Sequence, residues 1–259
     1  MRAKKSYGQH FLNQPGIASE IAHSLILNDA YKHVLEVGPG TGNLTKHLLE
    51  LPLKLKVVEA DKDMVFALAS NYPQLMHSII KEDFLKLDLS AIFENQPFAL
   101  IGNFPYNISS QILFKMLDYK ELIPEMVGMF QKEVAQRVIA GPGSKTYGVI
   151  SVLIQAYYEG EYLIDVDKSC FTPPPKVQSG VIRLVRKKNL TLKCDHSLFR
   201  SVVKQTFSQR RKMLRNTLKA FIKDTSLLTD ERFQKRPEQL SVEDFIDLTN
   251  YVQEQMKKS

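Results

Sequence analysis

Along the first 185 residues, short apolar runs bounded by Gly, Pro or acidic residues alternate with stretches whose apolar positions recur every three or four residues. The runs Val34–Val37, Leu55–Glu59, Ser78–Ile80, Phe98–Gly102 and Met126–Phe130 predict buried strands. The intervening periodicity predicts helices over Gln14–Leu27 (Ile17, Ile21, Leu25), Leu44–Leu51, Asp63–Tyr72 with Asp63 as its cap, Ser110–Leu117 and Glu133–Ala140. Strand–helix alternation with short connections predicts an α/β fold built on a parallel, doubly wound sheet. After Gly141-Pro142-Gly143 the pattern continues as a helix, Ile150–Tyr158. Two more strands follow, Tyr162–Val166 and Val181–Val185, on either side of Pro173-Pro174-Pro175.

Strands cease near Thr191. Phe199–Phe207, Met213–Phe221 and Val242–Val252 are amphipathic helical patterns, the last opened by Ser241 as N-cap with Asp244 in its first turn. A boundary near Lys187-Lys188-Asn189 is expected, dividing the chain into an α/β domain, 1–188, and a small all-helical domain, 189–259.

Charge sharpens this division. Residues 1–182 hold 17 Lys and Arg against 19 Asp and Glu, whereas residues 183–259 hold 18 against 9. The whole excess of the +7 chain therefore lies in its last third, which points to a polyanionic partner. The basic start, Met1 to Lys5, leads into polar residues rather than a signal sequence, and no apolar run is long enough to span a membrane. Two cysteines, Cys170 and Cys194, make neither a disulfide framework nor a four-ligand zinc site. A cytoplasmic protein with reduced thiols, no metal and a monomeric state is expected.

Candidate chemistry sits at successive strand ends, where open α/β sheets bind ligands. Gly38-Pro39-Gly40-Thr41-Gly42 joins the first strand to the first helix, and its spacing differs from the dinucleotide pattern G-x-G-x-x-G. Glu59, about 20 residues later, suits a ribose diol. Asp83, after the third strand, suits an adenine amino group, although an Asp at that place also serves as a turn cap. At the fourth strand end stands Asn103-Phe104-Pro105-Tyr106: a carboxamide, a carbonyl without its own N–H, and a flat ring, a set fitted to a planar base with an exocyclic amine.

Val34–Gly42 resembles the first motif of S-adenosylmethionine-dependent methyltransferases, and Asn103–Tyr106 the catalytic motif of those acting on exocyclic amines of bases. Gly8–Asn13, Phe171–Val177 and Phe207–Asn216 are similar to motifs of the ribosomal RNA adenine dimethyltransferases, a resemblance covering nearly the whole chain from Tyr7. It implies a Rossmann-like class I methyltransferase sheet using S-adenosyl-L-methionine. The cofactor contacts it implies are His10, Leu12, Gly38, Glu59, Asp83 and Asn103, with Glu36 near the methionine end. Asn103, Pro105 and Tyr106 would be catalytic, and Tyr106 and Phe171 would stack on the base. Arg210, Arg211, Lys212 and Arg215, on a helix with Met213, Leu214 and Leu218 inside, would meet RNA phosphates. The chain departs from the better-known members at His10, where they carry Asn, and at Phe104, where Leu is commoner; Phe104 is expected to border the space for a second methyl group.

The implied activity is N6 dimethylation of two adjacent adenosines in the 3′-terminal hairpin of small-subunit ribosomal RNA, on the immature subunit. The alternatives are a large-subunit adenine methyltransferase of the macrolide-resistance type, a DNA adenine methyltransferase, and a non-catalytic assembly or transcription factor on the same fold.

Overall fold

A computed structural model describes residues 8–258; the basic Met1–Lys5 segment and Tyr7 lie outside the described residues. In chain order the elements are β1 (Phe11–Leu12), α1 (Pro15–His23), β2 (His33–Val37), α2 (Thr45–Leu48), β3 (Lys54–Val58), α3 (Lys62–Asn71), β4 (Ile79–Ile80), α4 (Leu89–Ile92), β5 (Phe98–Asn103), α5 (Ser109–Asp118), β6 (Glu125–Gln131) and α6 (Lys132–Ile139). They continue with α7 (Val149–Gln155), β7 (Tyr158–Val166), β8 (Phe171–Thr172), β9 (Ser179–Arg186), α8 (His196–Ser208), α9 (Leu214–Thr217) and α10 (Val242–Lys258).

Seven strands form one sheet in the order β4-β3-β2-β5-β6-β9-β7. The first five run parallel, and β9 returns antiparallel to β6. The parallel strands are near-continuous apolar runs because helices cover both their faces. β1 and β8 pair antiparallel in a separate ribbon, with Phe11 opposite Thr172 and Leu12 opposite Phe171.

One expected cap is displaced. Asp61, not Asp63, caps α3, its Oδ1 accepting from the Asp63 N–H at 3.0 Å. Both residues are aspartates two apart, and only Asp61 has the extended backbone that a cap needs.

The chain divides into two compact units. One comprises residues 1–136 and 159–186, the sheet with its flanking helices; the other comprises 137–158 and 187–259. The break after 186 lies close to the expected boundary, but 137–158, expected in the α/β domain, belongs to the helical unit. Within that unit Phe207 meets Tyr147 edge-on at 6.2 Å and stacks on Phe245 at 5.9 Å, so an aromatic row ties 137–158 to α8 and α10. At the start of α10, Ser241 Oγ accepts from the Asp244 N–H (3.1 Å) while Asp244 accepts from the Ser241 N–H (2.9 Å), a reciprocal cap.

Candidate active site

The carboxyl ends of β2, β3, β4 and β5 open into a cavity of about 540 Å³, within the usual range for small-ligand sites. His10, Leu12, Gly38, Glu59, Asp83, Asn103, Pro105 and Tyr106 all line it. Phe171 does not: it is 2% exposed, packed in the core beneath the β1–β8 ribbon. Its ring was expected on the base, yet pairing opposite Leu12 turns it inward. The aromatic neighbour that Tyr106 does have is His10, with ring centroids 5.4 Å apart and planes 27° from parallel.

The glycine loop needs its glycines. Gly38, Gly40 and Gly42 have φ of +68°, +55° and +87°, a region that disfavours side chains. A Cβ on Gly42 would come within 2.4 Å of the Tyr72 ring, whose hydroxyl donates to the Gly42 carbonyl at 3.0 Å. Glu59 steadies the loop from β3: Oε2 accepts from the Gly40 N–H (3.2 Å) and Oε1 from the Asp61 N–H (2.9 Å). Burial raises its pKa, against the lowering effect of those hydrogen bonds. Asp83 caps the short turn Phe84–Lys86 through Oδ1 to the Leu85 N–H at 2.9 Å, leaving Oδ2 as a second acceptor at the cavity wall.

Residues 8–13 form a strap along the cavity, held by side chains from three places. Asn103 donates Nδ2 to the His10 carbonyl at 2.9 Å, Asn43 donates to the Leu12 carbonyl, and Gln9 donates to Asp61 at 3.1 Å. The His10 Nδ1–H donates to the Pro173 carbonyl (2.8 Å), because a carbonyl can only accept. Asn43 was not singled out in the sequence, although its place directly after Gly42 was a usable signal.

At the methyl-transfer motif, β5 runs one residue further than expected, to Asn103. The Pro105 carbonyl accepts from the Ile108 N–H at 3.2 Å, which engages one of its two lone pairs. The Tyr106 hydroxyl is hydrogen-bonded to Ser179 on β9, and burial raises its pKa. Phe104 lines the cavity, as expected of a residue bordering that space, and it is also packed into the sheet. Its ring is 1% exposed and lies over Gly102 and Gly128, which face each other on β5 and β6. A Cβ on Gly128 would sit 2.2 Å from that ring, and Phe130 packs on it at 5.1 Å. Phe104 therefore anchors the motif into the sheet.

In the helical unit the basic residues lie on a turn. α8 ends at Ser208 and α9 starts at Leu214, so Arg210, Arg211 and Lys212 occupy the connection rather than one helix face. Arg211, Lys212 and Arg215 are exposed, while Leu214 and Leu218 are buried. Arg210 is half-buried and donates to the Ser144 carbonyl at 3.0 Å.

Strand order, glycine loop and acid-ended strands together define a class I methyltransferase fold. A solved dimethyladenosine transferase from Plasmodium falciparum has the same fold, with a TM-score of 0.78 and 25% identity over 96% of this chain and 98% of that one. The 23S rRNA methyltransferase ErmE does so as well, with a TM-score of 0.70 and 23% identity over 93% and 99%. The chain belongs to the ribosomal RNA adenine dimethylase family, whose profile matches residues 1–254. Among its relatives are the ribosomal RNA small subunit methyltransferases A of Flavobacterium johnsoniae and Bacteroides thetaiotaomicron. The first is 53% identical over 98% of this chain and 97% of its own length, and the second 54% over 99% and 96%.

Proposed function

We propose that this protein dimethylates N6 of two adjacent adenosines in the 3′-terminal hairpin of 16S ribosomal RNA, in the cytoplasm, during maturation of the small subunit. The observation that carries the reading is the held carboxamide of Asn103. With Nδ2 committed to the strap, Oδ1 is the end left to accept an amine hydrogen, in the same cavity as Glu59 and Asp83. The 53–54% identity to small-subunit methyltransferases over nearly full length supports the substrate; the likeness to ErmE extends only to the fold.

The cavity fits S-adenosyl-L-methionine. Asp83 Oδ2 suits the adenine amine and Glu59 the ribose diol, and Gly38 and Gly40 let the backbone come close. When bound, that cofactor supplies an electrophilic methyl group on a positively charged sulfur. The protein supplies position. Asn103 Oδ1 and the remaining lone pair of the Pro105 carbonyl accept the two N6 hydrogens, drawing the nitrogen lone pair out of the ring and aiming it. Tyr106, its hydroxyl tied to Ser179, offers the stacking face for a base lifted out of the RNA fold. In the second transfer one N6 hydrogen remains, so one of the two acceptors suffices. The basic turn and α9 of the helical unit offer Arg211, Lys212 and Arg215 to RNA phosphates.

The test is to incubate the protein and S-adenosyl-L-methionine with small subunits lacking the modification, and to measure N6,N6-dimethyladenosine by mass spectrometry. Two dimethylated adenosines per subunit are expected, and none with Asn103→Ala. An unmodified 16S hairpin in competent subunits refutes the proposal.

A further inference from the structure

Glu36 and Glu82 are the acidic groups in the cavity wall without an assigned part in the steps above, and of the two only Glu36 is buried. It is 1% exposed, on β2, with Oε2 accepting from the Thr45 hydroxyl at 2.6 Å. The titratable groups that act on it are Glu59 on β3 and Tyr72 at the end of α3, and neither is a cation. Burial and, behind it, the Glu59 charge push its pKa up to about 8 despite the Thr45 bond.

Its place in the sheet matters. β2 lies between β3 and β5, and Glu36 is level with Val57 on one side and Ile101 on the other. Neighbouring strands are spaced roughly 4.8 Å apart. A nucleoside with its base at Asp83, beyond β4, and its ribose at Glu59, after β3, must cross β2 to bring its reactive end to Asn103 on β5. A ligand laid along that path would cross the strand that carries Glu36 between its ribose and its reactive end.

Resting on the cofactor pocket argued above, we propose that Glu36 exchanges a proton with solvent according to the charge on the bound ligand's sulfur. The carboxylic acid ionises, giving its proton to water, when the positively charged methyl donor enters; it takes a proton back from water when the neutral thioether product is left in its place. An ionised carboxylate facing Glu59 with no cation present is disfavoured; both ligands bring an ammonium at their amino-acid end, and the sulfonium is the further positive charge that only the methyl donor brings. Glu36 thereby favours cofactor over product, increasingly so as pH rises.

Isothermal titration in buffers of differing ionisation enthalpy tests this without turnover. From pH 6 to 8.5, S-adenosyl-L-methionine and S-adenosyl-L-homocysteine are each titrated into the protein; their common amino and carboxylate groups cancel in the comparison. The cofactor is expected to release roughly half a proton or more beyond the product at pH 7, and the ratio of their Kd values to change about 3- to 10-fold per pH unit. Glu36→Gln should bind both, with equal proton counts and a ratio independent of pH. Should that variant not fold, Thr45→Val serves: losing the O–H donor raises Glu36 further, so the midpoint of the pH dependence moves up. Equal counts in the unaltered protein, or an unmoved midpoint, overturn the proposal. Failure of both ligands to bind refutes the pocket itself, a separate and visible result.

Discussion

Asn103 and His10, 93 residues apart in the chain, are joined by a 2.9 Å hydrogen bond from the carboxamide of one to the backbone carbonyl of the other. The bond fixes the polarity of the amide and closes the strap in a single contact, so binding and chemistry share a residue. Asn103→Asp replaces the donor by an acceptor, leaving two oxygens facing each other. It is expected to abolish methyl transfer and also to weaken S-adenosyl-L-homocysteine binding, by roughly 1–3 kcal/mol. Asn43→Ala, which releases the Leu12 carbonyl, should weaken binding alone, by about 1 kcal/mol. Calorimetry with the product ligand separates the two, and an unchanged Kd in both would show that the strap is irrelevant to the pocket.

Gly128→Ala pushes a methyl group into the Phe104 and Phe130 rings, both fully buried. A loss of about 1–3 kcal/mol or more is expected in urea unfolding. Adding Phe104→Leu, which removes the nearer ring, should recover at least ~1 kcal/mol relative to additivity. Phe104→Trp overfills the same cradle and is expected to destabilise the fold rather than alter the ratio of dimethylated to monomethylated product. Strict additivity would contradict the placement.

Stability without ligand depends on Glu36. A carboxyl whose folded pKa lies above its unfolded value contributes stability that is full below the unfolded pKa and lost as pH rises through the folded one. For Glu36 that window runs from about 4.5 to about 8. Thermal or urea unfolding of the free protein should therefore show stability falling between pH 5 and 8, by up to ~1.4 kcal/mol per pH unit from this group. A flatter profile is expected for Glu36→Gln; profiles of equal slope would mean that Glu36 is ionised throughout.

The basic residues separate into two groups. Arg211→Glu with Arg215→Glu should weaken RNA binding and reduce its salt dependence, leaving Tm and cofactor affinity unchanged. Arg210→Glu also removes the donor to the Ser144 carbonyl, so its Tm should fall as well. Filter binding at two salt concentrations, beside thermal melts, distinguishes them.

The strand ends of the site were legible in the chain because a parallel strand is an apolar run whose first polar residue marks the cavity edge, as at Glu59 and Asn103. Apolar letters were less informative about direction. Phe104 and Phe171 both read as rings for the site, but only Phe104 lines the cavity, while Phe171 packs into the core, because a strand-adjacent aromatic turns toward whichever side offers a core. Likewise the expected helix 150–158 is present as α7, ending at Gln155 before β7 begins at Tyr158, but its pattern carried no word about which neighbour buries it. Asn43 leaves no periodic trace, and only its place directly after the glycine loop could have marked it.

The β1–β8 ribbon sets an order on the birth of this enzyme. Leu12 leaves the ribosome early, but its partner Phe171 and the Pro173 carbonyl that holds His10 are made some 160 residues later. Until two-thirds of the chain has been synthesised, the strap has its partners Asn43, Asp61 and Asn103 but lacks the β8 pairing of Leu12 and the carbonyl that holds His10.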